Sequence, residues 1–256
     1  MRVLSVSSQV VWGPVGNSAA VPALQAAGHE VLALPTVLLS NHPGHGAPAG
    51  FRTAPADMAR IFTSLVDLGA LDRLDGVLTG YFASADQVRE VAALLRRRAV
   101  PFTLVDPVMG DHGRLYVAEE VARAIQAELL PCATCIAPNG FELALLSGQS
   151  VEDQDSAIAA ARVLGLPEVL ATSIPAPSGQ LATLLVTASE VVSILTPQQA
   201  GVPHGTGDFL SGLYLAHRLS APPRAALQSA MAVLERAIAR SAGTPVLDVA
   251  GALHAP

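Results

Sequence analysis

Short apolar runs rich in β-forming residues recur along the chain: VLSVS (3–7), VLALP (31–35), GVLTG (76–80), FTLVD (102–106), CIAP (135–138), EVLATS (168–173) and LATLLVT (181–187). Between many of them lie stretches of helical length and spacing, at Asn17 to Ala27, Ala54 to Leu68, Ser84 to Arg97, Ala118 to Leu130 and Val151 to Leu164. Strands that alternate with helices need cover on both apolar faces. The pattern therefore predicts an α/β fold with a mostly parallel central sheet and helices on both sides. In such sheets the ligand crevice lies beyond the carboxyl ends of the strands, so polar residues there are the first functional candidates.

The last third changes character. VVSILTP (191–197) gives way to a turn-rich loop, then to GTGDFLSGLYLAHRL and a closing apolar helix, roughly Arg224 to Arg240. No linker rich in glycine, serine or charge divides the 256 residues, and no internal repeat is present. One domain spanning 1–256 is expected, with NHPGHGAPAG (41–50) as a small flap and Tyr116 to Pro131 as helix.

Composition excludes several classes. Net charge is −6 and aromatics are 4%, which argues against a nucleic-acid surface built on phosphate neutralisation or base stacking. Arg96 to Arg98 close a helix, where they favour the negative end of its dipole. Half of the chain is hydrophobic, yet no run approaches the roughly 20 apolar residues of a membrane span. MRVLSVSSQV enters directly into alternating apolar residues without the features of a secretory signal, so a soluble cytoplasmic protein is expected. Cys132 and Cys135 form a lone C-x-x-C that leads into an apolar strand, which suits buried reduced thiols better than zinc or a redox pair. His42 and His45, separated by proline and glycine, are assigned to the flap rather than to a metal.

The stretch PHGTGDFLSG (203–212) carries the most chemistry. Gly205 and Gly207 can adopt backbone angles denied to other residues, while Thr206 to Asp208 sit where a helix begins. Free backbone N–H groups there suit a phosphate or a developing anion. A carboxylate beside such a site is a poor binding group but a good base, able to take a proton from a hydroxyl as its oxygen attacks phosphorus. Asp208 could equally be a helix cap, and G-T-G-D alone fits both readings. Neither the G-x-x-x-x-G-K-[ST] loop nor the G-x-G-x-x-G fingerprint is present, so a P-loop enzyme or a dinucleotide dehydrogenase is unsupported.

Two further carboxylates stand at crevice positions. Asp106 ends a strand before a proline that keeps it extended, and there it can hold Mg²⁺ through water; alone, it fits a surface strand end as well. Asn139 and Glu142 make a capping-box pair, and Glu142 can also order water on magnesium if Asp106 and Asp208 share the crevice. Near the N-terminus, Ser7, Ser8 and Gln9 close a strand ahead of a turn marked by Gly13 and Gly16, an arrangement suited to a small polar ligand.

Six segments in order, VSSQVVWGPVGNSAA, TVLLSNHPGHG, LTGYFASADQ, DPVMGDHGRLYV, IAPNGFELALLSG and GTGDFLSGL, resemble the pyridoxal kinases of the ribokinase superfamily. The resemblance implies transfer of the ATP γ-phosphoryl group to the 5′-hydroxymethyl of pyridoxal, by a homodimer using Mg²⁺ and often K⁺. It implies that Ser8, Tyr81, the flap residues Pro43 and Gly44, and Asp208 border the vitamer, with Asp208 as base. The N–H groups of Gly205, Thr206 and Gly207 would form the anion hole. Asp106, Ala137, Asn139, Glu142, Thr172 and Ser173 would line the ATP site, with Asp106 and Glu142 nearest the metal. No nucleic-acid or membrane partner is implied.

Three departures from the family pattern stand out. Pro43 and Gly44 replace a threonine followed by glycine or glutamine, Gln9 replaces a histidine, and TPQQAGVPHGTGD is short and lacks a basic residue. Hydroxymethylpyrimidine kinase, of the same fold, is the near alternative. Those enzymes commonly carry a cysteine near the anion loop, and GTGD disfavours them. A non-catalytic B6-binding protein is the alternative from another class.

Overall fold

The computed structural model describes residues 1–254. The strands are β1 (Arg2–Trp12), β2 (Glu30–Asn41), β3 (Gly50–Arg52), β4 (Gly76–Thr79), β5 (Phe102–Val105), β6 (Gly110–Asp111), β7 (Arg114–Leu115), β8 (Cys135–Ile136), β9 (Glu168–Ala176), β10 (Gln180–Thr187) and β11 (Val191–Pro197). The helices are α1 (Asn17–Ala26), α2 (Pro55–Asp67), α3 (Ala85–Arg96), α4 (Glu119–Ala124), α5 (Gly140–Ser147), α6 (Gln154–Val163), α7 (Thr206–Arg218), α8 (Pro223–Arg240) and α9 (Val249–His254).

Among the described residues, nine strands form one sheet in the order β11-β10-β9-β8-β5-β4-β1-β2-β3. From β2 to β9 the neighbours run parallel, and β3, β10 and β11 are antiparallel. Apolar side chains divide between the two faces. One core joins the sheet to α2 through α6 and includes Met58, Phe62, Val91 and Leu143. The other joins it to α1, α7, α8 and α9 and includes Leu24, Phe209, Tyr214 and Leu227. The parallel α/β sheet covered on both faces is the fold that the alternating pattern predicts.

The register places the crevice. Val6 pairs with Thr79, Thr79 with Val105, Val105 with Ile136 and Ile136 with Val169. Val6, Val105, Ile136 and Val169 face the first core. Because side chains alternate along a strand, the next residues, Ser7, Gly80, Asp106 and Ala137, turn to the face covered by α1 and α7. The polar side chains of Ser7 and Asp106, with Gly80 between them, therefore end in one row beneath α7.

Helix α7 is held along its length. Gly212 lies so close to Ala20 that a methyl there would stand 2.7 Å from the Ala20 Cα, and only glycine permits this approach of α7 to α1. At the far end, Tyr214 donates to Glu168 Oε2 at 2.6 Å, while Arg218 binds Glu168 Oε1 through Nε at 2.9 Å and Nη2 at 2.7 Å. Glu168 is buried, and this charge-assisted set gives it donors on both oxygens.

Several details differ from the sequence reading. Strand β1 runs on to Trp12 instead of ending at Ser7 to Gln9, and its register with β2 shifts between Ser7 and Gln9. Helix α4 starts at Glu119, not Tyr116, and continues as a π turn over Ile125–Leu129 and a 3₁₀ turn over Leu130–Cys132. Tyr116 instead donates its N–H to Met109 O at 2.7 Å as the chain leaves the β6–β7 hairpin. That hairpin turns through His112 and Gly113, both with positive φ, as a tight two-residue connection requires. The flap is a short excursion between β2 and β3 around a single 3₁₀ turn, Pro43–His45. Cys135 is buried, Cys132 is half-buried, and both are free thiols. Arg96 to Arg98 do close α3, where Arg96 pairs with Glu128 and Arg98 with Asp72. Among the described residues, no helix is long and apolar enough to cross a membrane.

Candidate active site

Gly205 begins α7 in the left-handed region, with φ of 97°, and a Cβ on it would run into the Pro14 carbonyl. The glycine lets the start of α7 rest on the turn that follows β1. The N–H groups of Thr206, Gly207 and Asp208 have no acceptor within the helix, and no side chain caps them. They form an N-terminal cradle for an anion, favoured further by the helix dipole.

Asp208 does not cap this helix, which separates the two readings that G-T-G-D left open. Its carboxyl is drawn towards the Gly16 N–H, and burial still raises it to about pKa 6. A methyl on Gly80 would stand 3.9 Å from Asp208 Oδ1, so the carboxylate sits at the end of the polar row. Gly16 itself, with φ of 56°, packs on Ser8, where a Cβ would collide with the Ser8 backbone and hydroxyl.

Asp106 is buried in that row and accepts a hydrogen bond from Ser211 Oγ at 2.8 Å. Burial raises its pKa well above the usual carboxylate range, with the charges of Asp208 and Glu142 adding to the effect. Glu142 is also buried. Its Oε1 accepts from the N–H of Met109 at 2.8 Å and of Gly110 at 3.3 Å, and Oε2 accepts from Asn139 N–H at 2.9 Å. Burial outweighs these donors and raises Glu142 to about 7. Asn139 Oδ1 caps α5 by accepting Glu142 N–H, which with Glu142 Oε2 accepting Asn139 N–H makes the expected capping box, and Asn139 Nδ2 donates to Gly110 O.

Three electrostatically linked carboxyl groups in one desolvated crevice fit a divalent cation, because bound positive charge relieves their repulsion. Among the described residues, no set of three histidine, cysteine or acidic side chains converges as direct ligands. Magnesium, which keeps several waters and is shared with phosphates, suits such a site.

The other candidates lie around this centre. Thr172 bridges to Asn139 and donates its N–H to Pro138 O at 2.9 Å. Ser173 has φ of 55°, and both residues fall where the β9–β10 register shifts, which lifts them out of the ladder. Ala137 instead turns its methyl into the core beneath α7. Tyr81 donates its N–H to Ser7 Oγ at 3.2 Å and accepts Thr36 Oγ1 at 2.7 Å. Pro43 and Gly44 are exposed at the flap tip, with Gly44 against His42 and His204.

His42 and His45 do belong to the flap, but they make defined contacts. The His42 ring lies 4.1 Å from that of His204, and the His45 ring 4.7 Å from that of Trp12. The flap tip is thereby set against both the anion turn and the end of β1. Sequence reasoning passed over Ser211, Gly80 and His204. Ser211 alone left a signal, since it lies three residues after Asp208 and shares its side of α7.

Comparisons with known proteins agree with this fold. The family model for phosphomethylpyrimidine kinase matches residues 58–252. A Bordetella avium relative, a pyridoxine/pyridoxal/pyridoxamine kinase, is 42% identical over 230 residues, covering 85% of this chain and 77% of the relative. The chain belongs to the pyridoxal kinase family. A pyridoxal kinase from Leishmania donovani, solved with ADP and pyridoxine, has a TM-score of 0.91 at 34% identity, covering 98% of this chain and 93% of that one. The Entamoeba histolytica pyridoxal kinase gives a TM-score of 0.92 at 28% identity, covering 98% and 94%. This protein is a kinase of the ribokinase-like fold.

Proposed function

We propose that residues 1–256 act as one kinase domain that transfers the γ-phosphoryl group of ATP to the 5′-hydroxymethyl of pyridoxal, with pyridoxine and pyridoxamine as related acceptors. One observation carries the reading: Asp208 stands beside an uncapped glycine-rich helix start, at the end of the Ser7, Gly80 and Asp106 row. The names of the Bordetella relative and the Leishmania complex support the substrate class.

Asp208 takes the proton of the acceptor hydroxyl as that oxygen bonds to the γ-phosphorus and the bond to the β-phosphate oxygen breaks. The N–H groups of Gly205, Thr206 and Gly207, with that of Asp208 next to them in the cradle, hold the charge on the transferred group. Ser8, Tyr81, Pro43 and Gly44 border the vitamer. Asn139, Thr172, Ser173 and Ala137 border the nucleotide, with Ala137 contributing backbone only. Asp106 and Glu142 hold Mg²⁺ through water, and that ion supplies charge neutralisation at the phosphates. K⁺ as a second ion, a homodimer and a cytoplasmic location complete the proposal.

The test incubates purified protein with Mg-ATP and each of pyridoxal, pyridoxine, pyridoxamine and hydroxymethylpyrimidine, comparing wild type with Asp208→Asn. Product from a B6 vitamer, lost in the variant, is expected. Turnover of hydroxymethylpyrimidine alone would move the protein to the neighbouring activity, and no product from any acceptor would refute the kinase assignment of the site. Omitting K⁺ tests the second ion, and measuring mass in solution tests the homodimer.

A further inference from the structure

The flap is the tip of the β2–β3 hairpin, and the two feet of that hairpin, Thr36 and Thr53, are joined by hydrogen bonds. Thr53 donates its N–H to Thr36 O at 2.9 Å and its Oγ1 to Pro35 O at 2.6 Å. A third element meets them. Gln87, on the first turn of α3 and fully buried, donates Nε2 to Thr36 O at 2.9 Å and to Thr53 O at 2.7 Å. Its Oε1 accepts from Ala83 N–H at 2.8 Å, in the loop after β4. Thr36, itself buried, then donates Oγ1 to Tyr81 O in the same loop.

Both amide protons and the amide oxygen of Gln87 are thus committed to backbone. They join the two feet of the hairpin that carries the flap to the loop that carries Tyr81. A buried amide is costly unless its groups are paired, and here the partners belong to three segments that core packing alone would not lock together. Tyr81 N–H also reaches Ser7 Oγ, so the network ends in the polar row of the site.

We infer that Gln87, with Thr36, is a positioning residue for vitamer binding. It fixes both feet of the flap and the Tyr81 loop in one register, so that closing the flap brings Pro43 and Gly44 over the acceptor. The inference rests on the proposed vitamer kinase activity. The hydrogen bonds of Gln87 and Thr36 themselves lie on the acceptor side, and none of them reaches Asp106, Asn139, Glu142 or the anion turn.

The experiment compares wild type with Gln87→Met, which keeps length and loses all three bonds, and with Thr36→Val and Thr36→Ser. Steady-state kinetics are measured separately for pyridoxal and ATP. Trypsin supplies a second readout, since Arg52 is exposed at the flap's return and is the only arginine or lysine between Arg2 and Arg60. Gln87→Met and Thr36→Val should raise KM for pyridoxal about tenfold while KM for ATP stays within about twofold. Gln87→Met should also be cut faster at Arg52, and Thr36→Ser should behave as wild type. Circular dichroism confirms that each variant is folded; should Gln87→Met not fold, the Thr36 pair decides. Unchanged pyridoxal KM and Arg52 cleavage, or equal effects on both substrates, would overturn the inference. An inactive wild type would instead overturn the kinase reading, leaving Arg52 cleavage as an independent test of the joined feet.

Discussion

Replacing Gly205 with alanine tests whether the anion turn is shaped by the contact between α7 and the turn after β1. At φ of 97° an alanine is strained, by about 1–3 kcal/mol. Its Cβ would also strike the Pro14 carbonyl, which is backbone and cannot swing away as a flexible side chain would. Relieving such overpacking costs about 1–3 kcal/mol more. Taking about 3 kcal/mol in total, the melting temperature should fall by roughly 6–12 °C for a chain of this size. Relief requires either the start of α7 or the 13–16 turn to move, and that turn carries the Gly16 N–H that steadies Asp208. Loss of one aligned donor at a charged transition state costs about 10²–10³ in kcat, and Gly205→Ala should lose at least as much. Gly207→Ala is the control for folding, because a methyl there meets nothing within 4 Å and φ is not positive. It should leave the melting temperature unchanged. The assay is ADP release under saturating pyridoxal, together with thermal unfolding. A Gly205→Ala protein within about 2 °C and threefold of wild type would refute the reasoning.

Asp208→Asn should lower kcat by about 10²–10⁴ without weakening ATP binding measured by calorimetry, as removal of a general base does. Because the base acts ionised and is raised to about 6, kcat/KM should be flat above that pH and fall tenfold per unit below it; a flat profile down to pH 5 would be inconsistent with this assignment. Ser211→Ala removes the hydroxyl donor from buried Asp106, so its carboxyl should rise further and the Mg²⁺ needed for half-maximal rate should increase about three- to tenfold; an unchanged magnesium titration would count against the contact. His42 is held down to about 4, first by burial and then by His204 and His45, so the flap packed on His204 favours neutral imidazole. That preference is fully present above the ordinary histidine value of 6.5 and is lost as pH falls towards 4. Emission from Trp12, the single tryptophan and a neighbour of His45, should change across that window and lose the transition in His42→Gln.

What was legible in the sequence is what depends on local chemistry. Asp106 could be placed at a strand end because Pro107 holds it extended, and Asn139 with Glu142 could be placed at a helix start because capping pairs are three residues apart. The central sheet followed from alternation alone. The β6–β7 hairpin was hidden because strands of two residues carry no periodicity. Ser211 was passed over because its partner is 105 residues away, and only the seating of α7 under the end of β5 brings them together. The same holds for Gly205 and Pro14: the glycine marks a turn in any reading, but the carbonyl that forbids a side chain comes from the other end of the chain.

The departures in the flap and in the anion loop, separate in sequence, are one feature in space. A methyl on Gly44 would stand 2.9 Å from both His204 Cδ2 and His42 Nδ1, so no side chain fits at 44 while the His42 and His204 rings pack at 4.1 Å, tilted by 35°. Pro43 fixes the backbone entering that turn, and His42 accepts the Gly44 N–H at 3.0 Å, holding the tip in the shape that admits the second ring. The tip thus meets the anion turn through imidazoles rather than through a hydroxyl of its own. Since His204 directly precedes Gly205, opening the flap must part a contact one residue from the anion hole. Access for the acceptor and the geometry of the phosphoryl site are therefore coupled through the same pair of rings.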